Sequence, residues 1–184
     1  MKPWVRHLVV FLATVVVVSS VLTPLFLSAY PALLLNDAHK AISSGFGAGQ
    51  VPDNSLYTVP ELASPETANG NNWLLGGNQD GLYTVGWLDV SKGPQVLTIP
   101  EMGTRYHNVA LIAPRTGVVI ANLKAAGQYV IEQPGSAVPI PTGAVKVDVP
   151  GKQVGVVGRT LVENAADLPA ARALAQQITV TPLK

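Results

Sequence analysis

The sequence contains no cysteine, which excludes disulfides, thiolate metal ligands and cysteine nucleophiles. Charged residues are scarce as well, because Asp, Glu, Lys and Arg make up 12% of the 184 residues, about half of the usual share. The three histidines, His7, His39 and His107, are too widely separated to fit a zinc site. We therefore expect neither a metal nor a cofactor.

Basic clusters and catalytic motifs are also missing. Lys2 and Arg6 precede a long hydrophobic run, whereas all acidic residues follow it, so the rest of the chain carries 10 basic and 11 acidic residues. Nucleic-acid-binding proteins usually carry a basic patch, so we expect no nucleic-acid partner. Since no Gly-x-Ser-x-Gly or phosphate-binding motif occurs, we assign no catalytic residue.

What the sequence does have is a hydrophobic run near its N-terminus. No charged side chain occurs from Leu8 to Leu35, and residues 8–29 exceed the roughly 20 residues that a helix needs to cross a bilayer. We expect a transmembrane helix over residues 8–29, with Pro24 kinking it or marking its last turn. The positive-inside rule then places residues 1–7 in the cytoplasm and the remainder on the periplasmic side of the inner membrane.

A cleaved signal peptide is the alternative interpretation of this run. Signal peptides have an apolar core of about 7–15 residues and a small-x-small cleavage site. Here the apolar core is longer. The best candidate for a cleavage site is Leu27-Ser28-Ala29, but its first residue, Leu27, is not small. The pattern favours a retained anchor over cleavage, and both place the following domain outside the cytoplasm.

The rest of the chain divides into a connecting segment and a β-rich domain. Residues 30–72 are expected to form a juxtamembrane helix over 32–44 and a Gly- and Pro-rich linker with one short strand at 56–59. Residues 73–184 contain short Val-, Ile- and Thr-rich runs separated by turns, which is typical of an antiparallel sandwich or barrel. The predicted strands are residues 82–90, 95–99, 106–113, 117–122, 128–132, 144–149 and 153–159.

One short C-terminal helix is predicted within this mainly β domain, over residues 168–177. Asp167 is suited to cap it, Pro169 is tolerated in its first turn, and an apolar stripe runs along one side. Residues 179–181 are predicted to add an edge strand.

Several motifs in the β domain occur in a specific order. Residues 76–83 (GGNQDGLY), 87–94 (WLDVSKGP), 100–106 (PEMGTRY) and 158–162 (GRTLV) together resemble the signature of the domain of unknown function 1254 family, over residues 72–183. Two positions depart from it: Gly81 stands where the family has Thr or Ser, and His107 stands where a second aromatic residue is usual.

This resemblance implies a β-rich, often secreted or membrane-anchored bacterial protein without an agreed activity. Many members carry a second domain of unknown function, number 1214, after this one. The present chain looks like the short anchored form without that domain, so a separate partner protein of the 1214 type is expected.

The densest polar cluster of the sequence is the candidate ligand-binding site. Arg105 and His107 would share one face of a strand and line a pocket for a carboxylate or a sugar hydroxyl. The favoured alternative is structural, with Arg105 and Arg159 pairing with Asp80 and Asp89 to fasten loops. The ligand-binding candidates are Asn78, Asp80, Arg105, His107 and Arg159.

Two functions remain open from the sequence. The preferred one is a membrane-anchored cell-envelope protein that acts as a binding or assembly module with a partner protein. It predicts an exposed apolar patch or an open sheet edge. The alternative is an extracytoplasmic enzyme or small-ligand-binding domain with a polar pocket around Arg105 and His107.

Overall fold

One long helix, α1 (Pro3–Ser43), carries the whole apolar run and continues beyond it. The computed structural model describes residues 2–45, 49–62 and 79–183. Pro24 and Pro31 both lie inside α1, so Pro24 does not mark the last turn, and the expected juxtamembrane helix is part of the same helix. Each proline removes one backbone hydrogen bond, while the turns on either side retain theirs.

The surroundings of α1 change at Pro31. Every side chain from Arg6 to Tyr30 is exposed, whereas the helix becomes partly covered from Pro31 onward. Ala38, Ala41 and Ile42 are buried. The helix therefore has a free apolar half and a half that packs on the rest of the protein.

Nine strands and a second helix follow α1, and the strands form two sheets. The larger sheet has the order β1-β2-β8-β4-β5, and the smaller one has the order β7-β6-β3-β9. The strands are β1 (Ser55–Thr58), β2 (Gly81–Asp89), β3 (Gln95–Ile99), β4 (His107–Ile112), β5 (Val119–Leu123), β6 (Gly127–Glu132), β7 (Val145–Asp148), β8 (Gln153–Leu161) and β9 (Thr179–Pro182). Helix α2 (Leu168–Ala175) precedes β9. The mainly β fold with one short C-terminal helix is thus confirmed.

Strand pairing is antiparallel with one exception. β7 runs parallel to β6, with Glu132 opposite Asp148. The connection between them contains Pro134, Pro139 and Pro141 and must return the chain to the start of β6, because parallel neighbours need a crossover. β1 lies in the segment expected to be a linker and pairs with β2.

The core lies between the two sheets and follows the alternation of the strands. Leu88 of β2, Val156 of β8 and Leu111 of β4 point inward and are fully buried, as are Leu97 and Ile131 of the facing sheet. Odd-numbered residues of β2 point to the other side and meet α1. Three of them, Tyr83, Val85 and Trp87, form an outer cluster with Ile42 of α1.

Candidate functional site

Arg105 lies just before β4 and is held by an ion pair with Asp167. Its two terminal nitrogens donate to the two carboxylate oxygens of Asp167 at 2.5 and 2.7 Å, and one of them also donates to the Leu161 carbonyl at 2.7 Å. The two side chains are 15% and 16% exposed. Such a bidentate pair fixes orientation as well as distance, so Arg105 joins the β3–β4 loop to the start of α2.

This pair corrects two expectations. The ion-pair partner of Arg105 is Asp167, where the sequence interpretation named Asp80 and Asp89, and Asp167 does not cap α2 with its side chain. The carboxylate of Asp167 accepts instead from Arg105 and from the backbone N–H of Glu163 at 3.0 Å. The hydrogen bonds from Arg105 hold the pKa of Asp167 at about 2, below its ordinary value of 3.8, and the same contact raises the pKa of Arg105.

His107 is the first residue of β4 and lies opposite Thr160 of β8. Its Nδ1 is 3.1 Å from the Arg105 carbonyl oxygen. The buried Nε2 of His107 and the buried hydroxyl of Thr160 have no hydrogen-bond partner among the described residues. His107 shares a strand face with Val109 and Leu111, which are buried in the core between the sheets, so it points inward and away from the outer face of the larger sheet.

Arg159 lies on the opposite, outer face of the same sheet. It is exposed, and its guanidinium carbon is 5.3 Å from the centroid of the Tyr83 ring, a cation–π distance. Together with Asp80, Gly81, Leu161 and Tyr106, Arg159 lines a cavity of about 230 Å³. The structure thus brings two predicted ligand-binding residues, Asp80 and Arg159, to one cavity.

The other candidate positions do not join them in the lining of that cavity. Arg105 is held by Asp167, His107 points inward, and Asn78 lies outside the described residues. Asp89 accepts a hydrogen bond from the Ser91 N–H at 2.8 Å, and its contacts with Ser91 lower its pKa. Asp89 thus forms a local turn after β2.

A ring contact and a polar contact of His39 join α1 to the rest of the protein. The His39 ring stacks on Trp87 with centroids 4.5 Å apart, and His39 Nε2 is 2.8 Å from a carboxylate oxygen of Asp53. His39 lies four residues after Leu35 and three before Ile42, a spacing that places all three on the side of α1 that faces the sheet. This signal is available in the sequence.

Chemically, this arrangement supports binding better than catalysis. The cavity of about 230 Å³ offers a carboxylate, a guanidinium and a phenol, which can hold a small polar group by hydrogen bonds. Within the described residues, no group of three or more His, Asp or Glu side chains is placed to hold a metal ion.

Comparison with known proteins identifies a family and a related fold. The family model described as "Protein of unknown function (DUF1254)" matches residues 54–182. No curated protein matches the chain.

Two solved structures are similar to it. The crystal structure of the VPA0106 protein from Vibrio parahaemolyticus covers 86% of this chain with a TM-score of 0.64 and 19% sequence identity. This chain covers 36% of that protein, or about a third of its length. An uncharacterised protein from Burkholderia cenocepacia covers 61% of this chain, which covers 32% of it, at 15% identity and a TM-score of 0.36.

Proposed function

Since the chain belongs to the DUF1254 family, whose function is unknown, we propose that it is a membrane-anchored cell-envelope protein with a binding or assembly domain. In this proposal α1 crosses the cytoplasmic membrane once. Residues 1–7 lie in the cytoplasm, and the β domain lies on the periplasmic side, where it assembles with a partner protein.

The two halves of α1 carry the proposal. Residues 8–30 are exposed, and an 18-residue window of α1 has a mean hydropathy of 2.5, so water would be a poor solvent for that half. Three of its hydroxyl groups also bond within the helix: Thr14 donates to the Val10 carbonyl, Ser20 to Val17 and Ser28 to Leu25, at 2.8–2.9 Å. Such internal bonding suits a hydrocarbon environment.

The course of the helix favours a retained anchor over a cleaved signal peptide. Leu27, Ser28 and Ala29, the best available cleavage site, lie in the middle of continuous helix. The turns that follow pack against the β domain through Ala38 and Ile42. A retained leader predicts that the detergent-extracted protein has the intact mass of all 184 residues, whereas a mass beginning at Tyr30 would contradict it.

The edges of the sandwich support the assembly role. β1 contacts β9, so the two sheets meet along that side. On the other side, β5 pairs with β4 and β7 pairs with β6, and neither has a second neighbour among the described strands. Val145 of β7 is 53% exposed. Unpaired edges of this kind accept a strand or a packed surface from a partner.

The length of the related Vibrio protein also supports a partner. Because the matched region is about a third of that chain, the fold there is joined to a further portion of protein. We propose that a module of the 1214 type, on a separate chain, is the partner here.

Co-purification in a mild detergent tests this proposal. We expect a co-expressed 1214-type protein to elute with the anchored chain, and Val145→Lys to weaken that association. Tyr106→Lys is the matched control, because Tyr106 is similarly exposed (56%) and lies outside β7. Elution of the wild-type chain alone, or equal retention by both variants, would count against the edge as the docking site.

A second candidate function is the binding of a small polar ligand beside Arg159. The observation in its favour is the shared cavity of Asp80, Tyr106 and Arg159. It predicts that Arg159→Ala abolishes binding of a carboxylate or sugar ligand, while Arg105→Lys, which changes a residue held by Asp167, retains it. Calorimetric titration against such ligands would distinguish the two variants.

A further inference from the structure

The β4–β5 loop lies against α1 at the point where the free half of the helix ends. An ideal Cβ built on Gly117 would be 3.7 Å from Pro31 Cβ and 4.0 Å from Leu35 Cδ1. Pro31 is also the first partly covered residue after the exposed run of residues 6–30. The tip of this loop therefore lies beside the last exposed turn of the helix.

The loop is held in this position by its own backbone. The N–H groups of Thr116 and Gly117 donate to the Ala113 carbonyl at 3.3 and 2.9 Å, and the Ala113 N–H donates to Val118 at 2.9 Å. Gly117 has φ +70°, a conformation that favours glycine. These bonds fix the conformation of the loop whose tip lies beside α1.

The tip has the side chains of a membrane-contacting surface. Val118, at the end of the loop, and Val119, the first residue of β5, are 59% and 53% exposed, and Arg115 of the same loop is exposed as well. Outside α1, the other large hydrophobic residues of comparable exposure among the described residues are Tyr106 and Val145. Two consecutive exposed valines and an exposed cation in the same loop match the apolar and phosphate layers of a lipid surface.

The length of the helix places this tip at the depth of the lipid headgroups. The hydrocarbon layer is about 30 Å thick. At about 1.5 Å per residue, Pro31 lies about 34 Å along the helix from Leu8, so a layer that begins at Leu8 ends before Pro31. Pro31 and Gly117 then lie roughly 4 Å beyond the hydrocarbon, and a helix tilt of about 20° changes this by only about 2 Å.

We propose that the β4–β5 loop is a second membrane contact, in which Val118 and Val119 enter the interfacial layer of the bilayer and Arg115 binds lipid phosphate. This inference depends on the proposed anchoring by α1. The loop and the helix together hold the β domain directly on the membrane surface, in one orientation.

The test uses single cysteines, since the chain has none of its own. The full chain is reconstituted in phosphatidylcholine–phosphatidylglycerol vesicles, with an environment-sensitive fluorophore at Val118→Cys, Tyr106→Cys or Val16→Cys. Nitroxide lipids quench either at the headgroup or in the acyl chain. Tyr106 is the matched control, because it is 56% exposed and lies about 20 Å from the loop, at the other end of β4.

We expect headgroup nitroxides to quench the label at Val118 and acyl-chain nitroxides to quench the label at Val16, with Tyr106 unaffected by both. Quenching at Val16 without quenching at Val118 would overturn the loop contact and leave the anchor intact. A Val118 label that is shielded from water but not quenched would assign the loop to a protein surface, which also overturns it. Loss of quenching at Val16 would overturn the anchor itself. Circular dichroism checks that each variant is folded.

Discussion

Ile42 anchors the packed half of α1 on the β domain, and its truncation is predicted to loosen that half alone. Ile42 is 6% exposed and lies in a small cluster with Tyr83, Val85 and Trp87. Ile42→Ala removes three buried carbon groups at about 0.8 kcal/mol each, or about 2.4 kcal/mol. This value is near the lower end of the range for such truncations, about 2–5 kcal/mol.

Hydrogen exchange measures this loss locally. A cost of about 2.4 kcal/mol corresponds to a roughly 50-fold larger open population, so amides of residues 36–43 should exchange roughly 50-fold faster in detergent. Leu33→Ala is the matched control, because Leu33 belongs to the same helix but is 57% exposed; it should change exchange by only about twofold. Amides of β3 and β6 should be unaffected. Equal exchange in the two variants would refute the docking of α1 on the sheet.

Three further predictions concern the β domain. Because the folded-state pKa of Asp167 lies at about 2, below its ordinary 3.8, its pair with Arg105 should stabilise the fold above about pH 4 and lose this effect towards pH 2. In thermal melts, Asp167→Asn should reduce the fall of the melting temperature between about pH 4 and about pH 2. Lys146 Nζ is 2.8 Å from the buried Glu132 carboxylate, so Lys146→Ala should leave that carboxylate unpaired and lower the melting temperature. Adding Glu132→Gln should restore part of the lost melting temperature, because it removes the buried charge. Gly86→Ala should destabilise by about 1–3 kcal/mol in urea unfolding, because its Cβ would lie 2.5 Å from a backbone oxygen of β1.

Local pattern predicts most of the fold. β3 matches its predicted bounds, residues 95–99, because a short Val- and Ile-rich run between Gly93-Pro94 and Pro100 leaves little choice of conformation or length. α2 begins at the predicted residue for a similar reason, since Pro169 suits a first helical turn. Of the two expectations for Pro24, only that it marks the last turn is wrong: α1 continues to Ser43, because a proline removes a single backbone hydrogen bond of the helix.

Contacts between distant segments are what the sequence did not reveal. Arg105 and Asp167 are 62 residues apart, and only the packing of α2 against β2 and β8 brings them together. The parallel pairing of β7 with β6 likewise depends on where the proline-rich connection returns, which local pattern does not determine. The candidate site was separated for the same reason: His107 and Arg159 lie on strands β4 and β8, but their side chains point to opposite faces of the sheet.

Cysteine accessibility in oriented membranes tests the anchored topology most directly. Tyr106→Cys and His7→Cys are expressed separately, and right-side-out and inside-out vesicles are treated with a membrane-impermeant maleimide. The anchored topology predicts that both variants fractionate with the membrane. Tyr106→Cys should be labelled only in right-side-out vesicles, and His7→Cys only in inside-out vesicles. The reversed pattern, or recovery of the intact chain in the soluble fraction, would contradict it.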